Sequence, residues 1–187
     1  MFHKLYHPEI FQGSITKQKY FEGWYYKLVS ADEQHAVAVI PGIAIYDDTD
    51  HHAFIQVING VRQVTSYHRF PLEAFSADKE VLDIKIGNNH FSRELISLDL
   101  PELKGDIKLH HGIPLVSSLL SPGIMGWYSF MPSMQCYHGV VSLHHKLDGK
   151  TTGTAGEIEW SRGVGYIEKD WGTSFPKCWI WIHSNNF

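Results

Sequence analysis

Apolar and polar residues alternate along much of this chain with a period of two. Ala53-Phe54-Ile55-Gln56-Val57-Ile58 runs into Asn59-Gly60 and resumes through Val61–Tyr67. Asn-Gly between two β-forming runs predicts a hairpin, because a tight turn needs positive φ at both central residues. Val81–Ile86 alternates and then meets Gly87-Asn88-Asn89. Ile107–His110 alternates too, and Gly139–Leu147 does so up to Asp148-Gly149-Lys150, which reads as a second hairpin. Glu157–Trp160 and Trp179–Ile182 complete the set. Helical spacing is scarce. Ile113–Leu120 has the apolar content for one helical turn, but Pro114 and Pro122 bracket it. The reading is all-β: an antiparallel barrel or sandwich of about nine to eleven strands.

Composition narrows this further. A chain of 187 residues suits a single domain, here 1–187, and buries roughly 70% of its unfolded surface without a disulfide or metal staple. With 43% apolar and 19% charged residues it is globular rather than disordered. The net charge of −4 carries no basic footprint for nucleic acid. Cys136 and Cys178 make no disulfide framework, and Cys178 reads as a small core residue. No signal peptide and no run of 18 apolar residues is visible, so the expected location is the cytoplasm. Gly23-Trp24-Tyr25 recurs as Gly126-Trp127-Tyr128, too short an echo to make a repeat. An edge strand carrying Trp179 and Trp181 near the last residue would be sticky. Further chain, or a partner subunit, is therefore expected to cover the C-terminal edge.

Three segments concentrate aromatic, glycine and ionisable residues: 20–27, 126–139 and 165–172. A carboxylate among Trp and Tyr is desolvated, which favours its protonated form and suits a general acid. Glu22, Glu168 and Asp170 are the candidates. The plain alternative is that Glu22 and Lys27 face solvent and that Glu168 and Lys169 pair locally. Glu168 and Asp170 share strand parity and so share a face. The histidine pairs 51–52, 110–111 and 144–145 face opposite sides of a strand, and neither HExxH nor CxxC occurs, so no metal site is expected. Phosphate-loop, dinucleotide and GxSxG patterns are likewise missing from the sequence. Inward-facing Trp and Tyr would line a cavity for a flat or greasy ligand, unless they simply pack the core.

These same blocks resemble the tocopherol cyclase family. The match runs through Tyr20-Phe21-Glu22-Gly23-Trp24-Tyr25-Tyr26-Lys27, then Gly126-Trp127-Tyr128-Ser129-Phe130-Met131-Pro132 and Tyr137-His138-Gly139. It closes with Gly165–Pro176 and Trp179. The resemblance implies a lipocalin-like fold made of two barrel-like halves, related to carotenoid hydratases, of which this chain is similar to the N-terminal half. It also implies closure of a chromanol ring on a prenylated hydroquinone. That reaction is an isomerisation needing no redox cofactor: an alkene is protonated and a phenol oxygen captures the tertiary cation.

The chemistry of the residues then suggests Glu168 or Asp170, with Glu22 as third candidate, for the proton. Trp24, Tyr26, Trp127, Tyr128, His138 and Trp171 would shape the pocket, aromatic faces stabilising a cation by about 0.5–2 kcal/mol each. Three functions stay open: a cyclase or hydratase acting on a prenyl alkene, a carrier of a hydrophobic small molecule, and a Trp-rich carbohydrate or protein-interaction module. The enzyme requires a candidate carboxylate beside an apolar cavity. The module requires exposed Trp side chains.

Overall fold

The computed structural model describes residues 2–16, 19–47, 49–132, 134–154 and 156–183. A short helix, α1 (Phe2–Tyr6), precedes twelve strands: β1 (Tyr20–Val29), β2 (Ala36–Ile45), β3 (His51–Asn59), β4 (Val64–Phe70), β5 (Phe75–Ala77), β6 (Asp83–Ile86), β7 (Asn89–Ser92), β8 (Leu95–Asp99), β9 (Lys104–Ile113), β10 (Cys136–Gly153), β11 (Gly156–Glu159) and β12 (Val164–Gly172). Eleven lie on one path, β4-β3-β2-β1-β12-β10-β9-β8-β7-β6-β5, and β11 pairs off it with β10. All the pairings are antiparallel. The result is the expected all-β architecture, a nearly closed barrel.

Alternation decides what faces inward. In β1 the residues Tyr20, Glu22, Trp24, Tyr26 and Leu28 are buried while those between them are half-buried. Trp24, Tyr26 and Leu28 join Ile55, Ile84, Phe91, Ile96 and Ile107 in one apolar core. Ile10 and Phe11, from the segment before β1, are buried as well.

Three local expectations shift. The Asn-Gly hairpin between β3 and β4 is present, but β4 starts at Val64 and residues 60–63 form the loop. The Asn59 side chain accepts the N–H of Arg62 at 2.9 Å, which stabilises the longer turn. Asp148-Gly149 is no turn: β10 passes straight through it, and the chain reverses at 153–156 instead. Trp179–Ile182 belongs to no strand; this stretch lies across the outer surface. Ile113 ends β9, and residues 114–121 carry no helix, only an isolated bridge between Ser118 and Ser121.

His145 sits within β10 opposite Gly165, where an added Cβ would come within 2.2 Å of its Nε2. Burial pushes this imidazole down to about 4, and the neighbouring His144 adds to the effect. The folded protein thus keeps His145 neutral where the unfolded chain would protonate it. Stability from this source is fully present above about pH 6.5 and falls by about 3 kcal/mol as pH drops toward 4. Urea melts at pH 7.5 and 4.5 will show a smaller acid loss in His145→Asn than in the parent; equal losses would contradict the assignment.

Candidate functional site

β1, β12 and β10 lie side by side and hold most of the chemically interesting residues, but on two faces. Trp24 pairs with Lys169 and Glu22 with Trp171, all directed toward the core side. Tyr25 pairs with Glu168, Gly23 with Asp170, and Asp170 with His138, on the opposite face. The three candidate carboxylates therefore do not form one site.

On the inner face, Glu22 and Lys169 have no solvent exposure and form an ion pair at 2.5 Å. Glu22 also accepts the N–H groups of Gln12 (2.8 Å) and Gly13 (3.0 Å) and the Tyr20 hydroxyl (2.5 Å). Lys169 donates to the carbonyl of Ile10. Its ammonium lies 4.4 Å from the Trp24 ring centroid and 5.2 Å from that of Trp171. Burial pushes Lys169 down to about 8, against the upward pull of Glu22. Trp24 completes the clamp by donating its Nε1–H to the carbonyl of Glu9 at 2.8 Å. Glu22 is thus neither solvent-facing nor free: it ties residues 9–13 to the barrel. Lys169 pairs with it rather than with Glu168.

The outer face holds a second cluster. Nδ1 of His138 is 2.9 Å from Oδ1 of Asp170, and Nε2 is 3.8 Å from Oε2 of Glu168. That Glu168 oxygen accepts the Tyr166 hydroxyl (2.7 Å) and the Trp181 indole N–H (2.9 Å). Burial works against a charge on His138, but the Asp170 hydrogen bond and the two carboxylate charges outweigh it, so its pKa is raised. Burial and the Glu168 charge push Tyr25 up to about 12. Among the described residues no group of three or more His, Cys, Asp and Glu converges as a metal would require.

His138 also lines a cavity of about 330 Å³ together with Pro8, Met125, Phe130, Met131, Tyr137 and Trp171. This is the small end of the range for ligand pockets, and its walls are mostly apolar and aromatic. The 3₁₀ turn Gly126–Phe130 roofs one side, whereas in β1 the same Gly-Trp-Tyr triplet is plain strand. Gly139 leaves room for Pro8, which an added Cβ would meet at 2.3 Å.

Of the pocket residues expected from sequence, His138 and Trp171 line this cavity. Trp24 and Tyr26 are fully buried in the core instead. Trp127 and Tyr128 stack on each other at 4.1 Å and stand outside it, 58% and 51% exposed. Cys178 is exposed rather than a core residue. Lys169, Tyr166 and Trp181 escaped sequence reasoning as site residues. For Lys169 a signal existed: it shares parity with Ile167 and Trp171, as Glu22 does with Trp24 and Tyr26.

The family model described as tocopherol cyclase-like matches residues 118–187. The matched stretch includes the 3₁₀ turn, β10 and β12, and hence the His138–Asp170–Glu168 cluster. No curated protein matches the chain. Among solved structures it is similar to an AttH protein from Nitrosomonas europaea, at 14% identity and TM-score 0.52, over 84% of this chain and 52% of that one. It is also similar to CghA, solved with Sch210972, at 10% identity and TM-score 0.50, over 83% of this chain and 46% of that one. At such identities the likeness establishes the fold. The chain spans about half the length of both structures. Among the described residues no helix is long and apolar enough to cross a membrane.

Proposed function

We propose that this tocopherol cyclase-like protein binds a hydrophobic, prenylated quinol-type molecule in the 330 Å³ cavity and protonates its prenyl alkene from His138. The observation that supports the reading is His138: the residue borders the cavity, and its imidazole, on the other face of β10 from Tyr137 and Gly139, is held between two carboxylates. Asp170 fixes the ring and favours its charged form, as a carboxylate does for a general acid–base histidine. Glu168 and Asp170 then act on the proton through His138. The proton adds to one alkene carbon, the phenol oxygen bonds to the resulting tertiary cation, and the phenolic proton leaves to the imidazole. Nothing is oxidised or reduced, so no redox cofactor is called for.

A second reading, a carrier without catalysis, is favoured by one feature of the cluster. Glu168 accepts from two neutral donors and Asp170 is engaged by His138, so neither carboxyl stands free as a strong acid. We further propose that a second barrel-like half or a partner subunit covers the outer segment, where Trp179 is 66%, Ile180 89% and Ile182 87% exposed.

Titration with a prenylated hydroquinone, read by Trp fluorescence and by chromatography with mass spectrometry, separates these readings. The enzyme predicts a cyclised product of unchanged mass. Its rate will fall at least about 100-fold in His138→Gln and Asp170→Asn, with binding changed only a few-fold. Saturable quenching without product points to the carrier. Absence of any binding overturns both in favour of an interaction module built on the exposed Trp127 and Trp179.

A further inference from the structure

We infer that the ligand of the 330 Å³ cavity is an organic acid, an apolar body whose carboxylate is held by the ammonium of Lys4. This rests on the reading that the cavity is the ligand site, and narrows the class of molecule it takes. Lys4, Leu5, Pro8 and Gln12, all from the segment before β1, form one wall. The other walls are mostly apolar, with Met125, Phe130, Met131 and Trp171 among them. Among the described residues lining the cavity, Lys4 is the only lysine or arginine, and no aspartate or glutamate is present.

The ammonium is fixed in place. Its Nζ donates to the carbonyls of Phe11 at 3.0 Å and Gln12 at 2.9 Å. Gln12 returns two bonds from its Nε2, to the carbonyls of Lys4 at 3.2 Å and His7 at 2.8 Å. An ammonium has three protons, so two are committed and one is left to give. Carbonyls are neutral, and among the described residues no carboxylate forms an ion pair with Lys4. The two acids of this segment and of β1 are engaged elsewhere, Glu9 with Arg93 at 2.6 Å and Glu22 with Lys169. The Lys4 charge instead opposes the one on Lys169. The wall thus carries a half-buried positive charge without a counter-ion, beside an apolar space where an ion pair is screened less than in water.

The other polar side chains of the cavity are already occupied or neutral. Tyr137 gives its proton to the carbonyl of Met131 at 2.7 Å, and His138 is held between Asp170 and Glu168. Ser129 adds only a hydroxyl. A carboxylate takes a strong, charge-assisted hydrogen bond from an ammonium, whereas a neutral ligand leaves that charge uncompensated. The chemical class is therefore a mainly apolar carboxylic acid.

Two probes, 4-butylbenzoate and 4-butylbenzamide, match in shape and differ in charge. Titrated at neutral pH into the ¹⁵N-labelled protein, both will shift the amides of Gly123 and Gly139, which line the cavity. Gly112, beside a separate opening between β9 and β10, will not move. The benzoate will bind at least about fivefold more tightly. Lys4→Met will bring it down to the affinity of the benzamide, and Lys4→Arg will keep the preference. Equal affinities in the parent, or a Lys4→Met that weakens both probes alike, would overturn the inference, since the lysine would then only hold segment 4–12 together. The comparison of probes on the unaltered protein stands even where Lys4→Met fails to fold. A prenylated hydroquinone titrated alongside separates this inference from the reading it rests on. Hydroquinone binding with equal probe affinities removes the acid class alone, whereas no shift from any of the three removes the cavity reading with it.

Discussion

Glu22→Gln is expected to cost about 3–5 kcal/mol of folding stability, the range for stripping a buried charge of its partner. It leaves the Lys169 ammonium, which has no solvent exposure, without its contacting counter-charge, held by the Ile10 carbonyl, the faces of Trp24 and Trp171 and a neutral amide oxygen. Ring faces attract a cation by about 2 kcal/mol at most, less than a buried carboxylate supplies. Lys169→Met will cost less, because Glu22 still accepts from Gln12, Gly13 and Tyr20. The double variant Glu22→Gln/Lys169→Met will recover much of the loss, as a pair removed together leaves no orphan charge. Urea unfolding of all four proteins measures the coupling, and strictly additive losses would show that the two groups do not stabilise each other. Hydrogen exchange supplies an independent readout. Since Glu22 holds the amides of Gln12 and Gly13, these will exchange faster in Glu22→Gln while the β8–β9 ladder keeps its protection.

This clamp shows how far the sequence reaches. Both inward positions were legible from parity: Glu22 alternates with Trp24 and Tyr26, and Lys169 with Ile167 and Trp171. What parity does not contain is the neighbour. β1 and β12 come from opposite ends of the chain, and only the strand order brings Lys169 beside Trp24. The outer cluster was half legible in the same way. Glu168 and Asp170 share a face as their spacing requires, but His138 joins them only because β10 pairs with β12 in that register. A cavity of about 640 Å³ between β9 and β10 left no local trace, because it depends on where the β9–β10 ladder stops. The apolar stretch Trp179–Ile182 misled for a related reason. Its alternation fits a strand, yet it has no ladder partner, and Trp181 is anchored through its indole N–H to Glu168 instead.

Gly149→Ala is expected to destabilise by about 3 kcal/mol, a large effect for adding one methyl group. Asp148-Gly149-Lys150 has the composition of a turn, but the positive φ that glycine permits serves another purpose here. Gly149 has φ +132° in the middle of β10, and a Cβ on it would come within 2.2 Å of the Asp106 carbonyl oxygen on β9. Gly105 answers from the other side: its φ is +140°, and a Cβ there would lie 2.4 Å from the Lys150 carbonyl oxygen. The two glycines let β9 and β10 approach closely where the long strand carries both β9 and β11. Each clash is with backbone, which cannot swing aside as a flexible side chain would. Alanine must therefore push the strands apart or break ladder hydrogen bonds next to the Gly149 carbonyl, which accepts the Trp160 N–H at 2.9 Å. Gly123→Ala is the control, since nothing lies within 4 Å of its added Cβ, and it will stay within about 0.5 kcal/mol. Thermal melts of the two variants decide the matter. Were Gly149→Ala as mild as Gly123→Ala, the chain would have to turn at Asp148-Gly149 as composition suggests, and the unbroken β10 that carries His138, Ser142 and His145 would be lost with it.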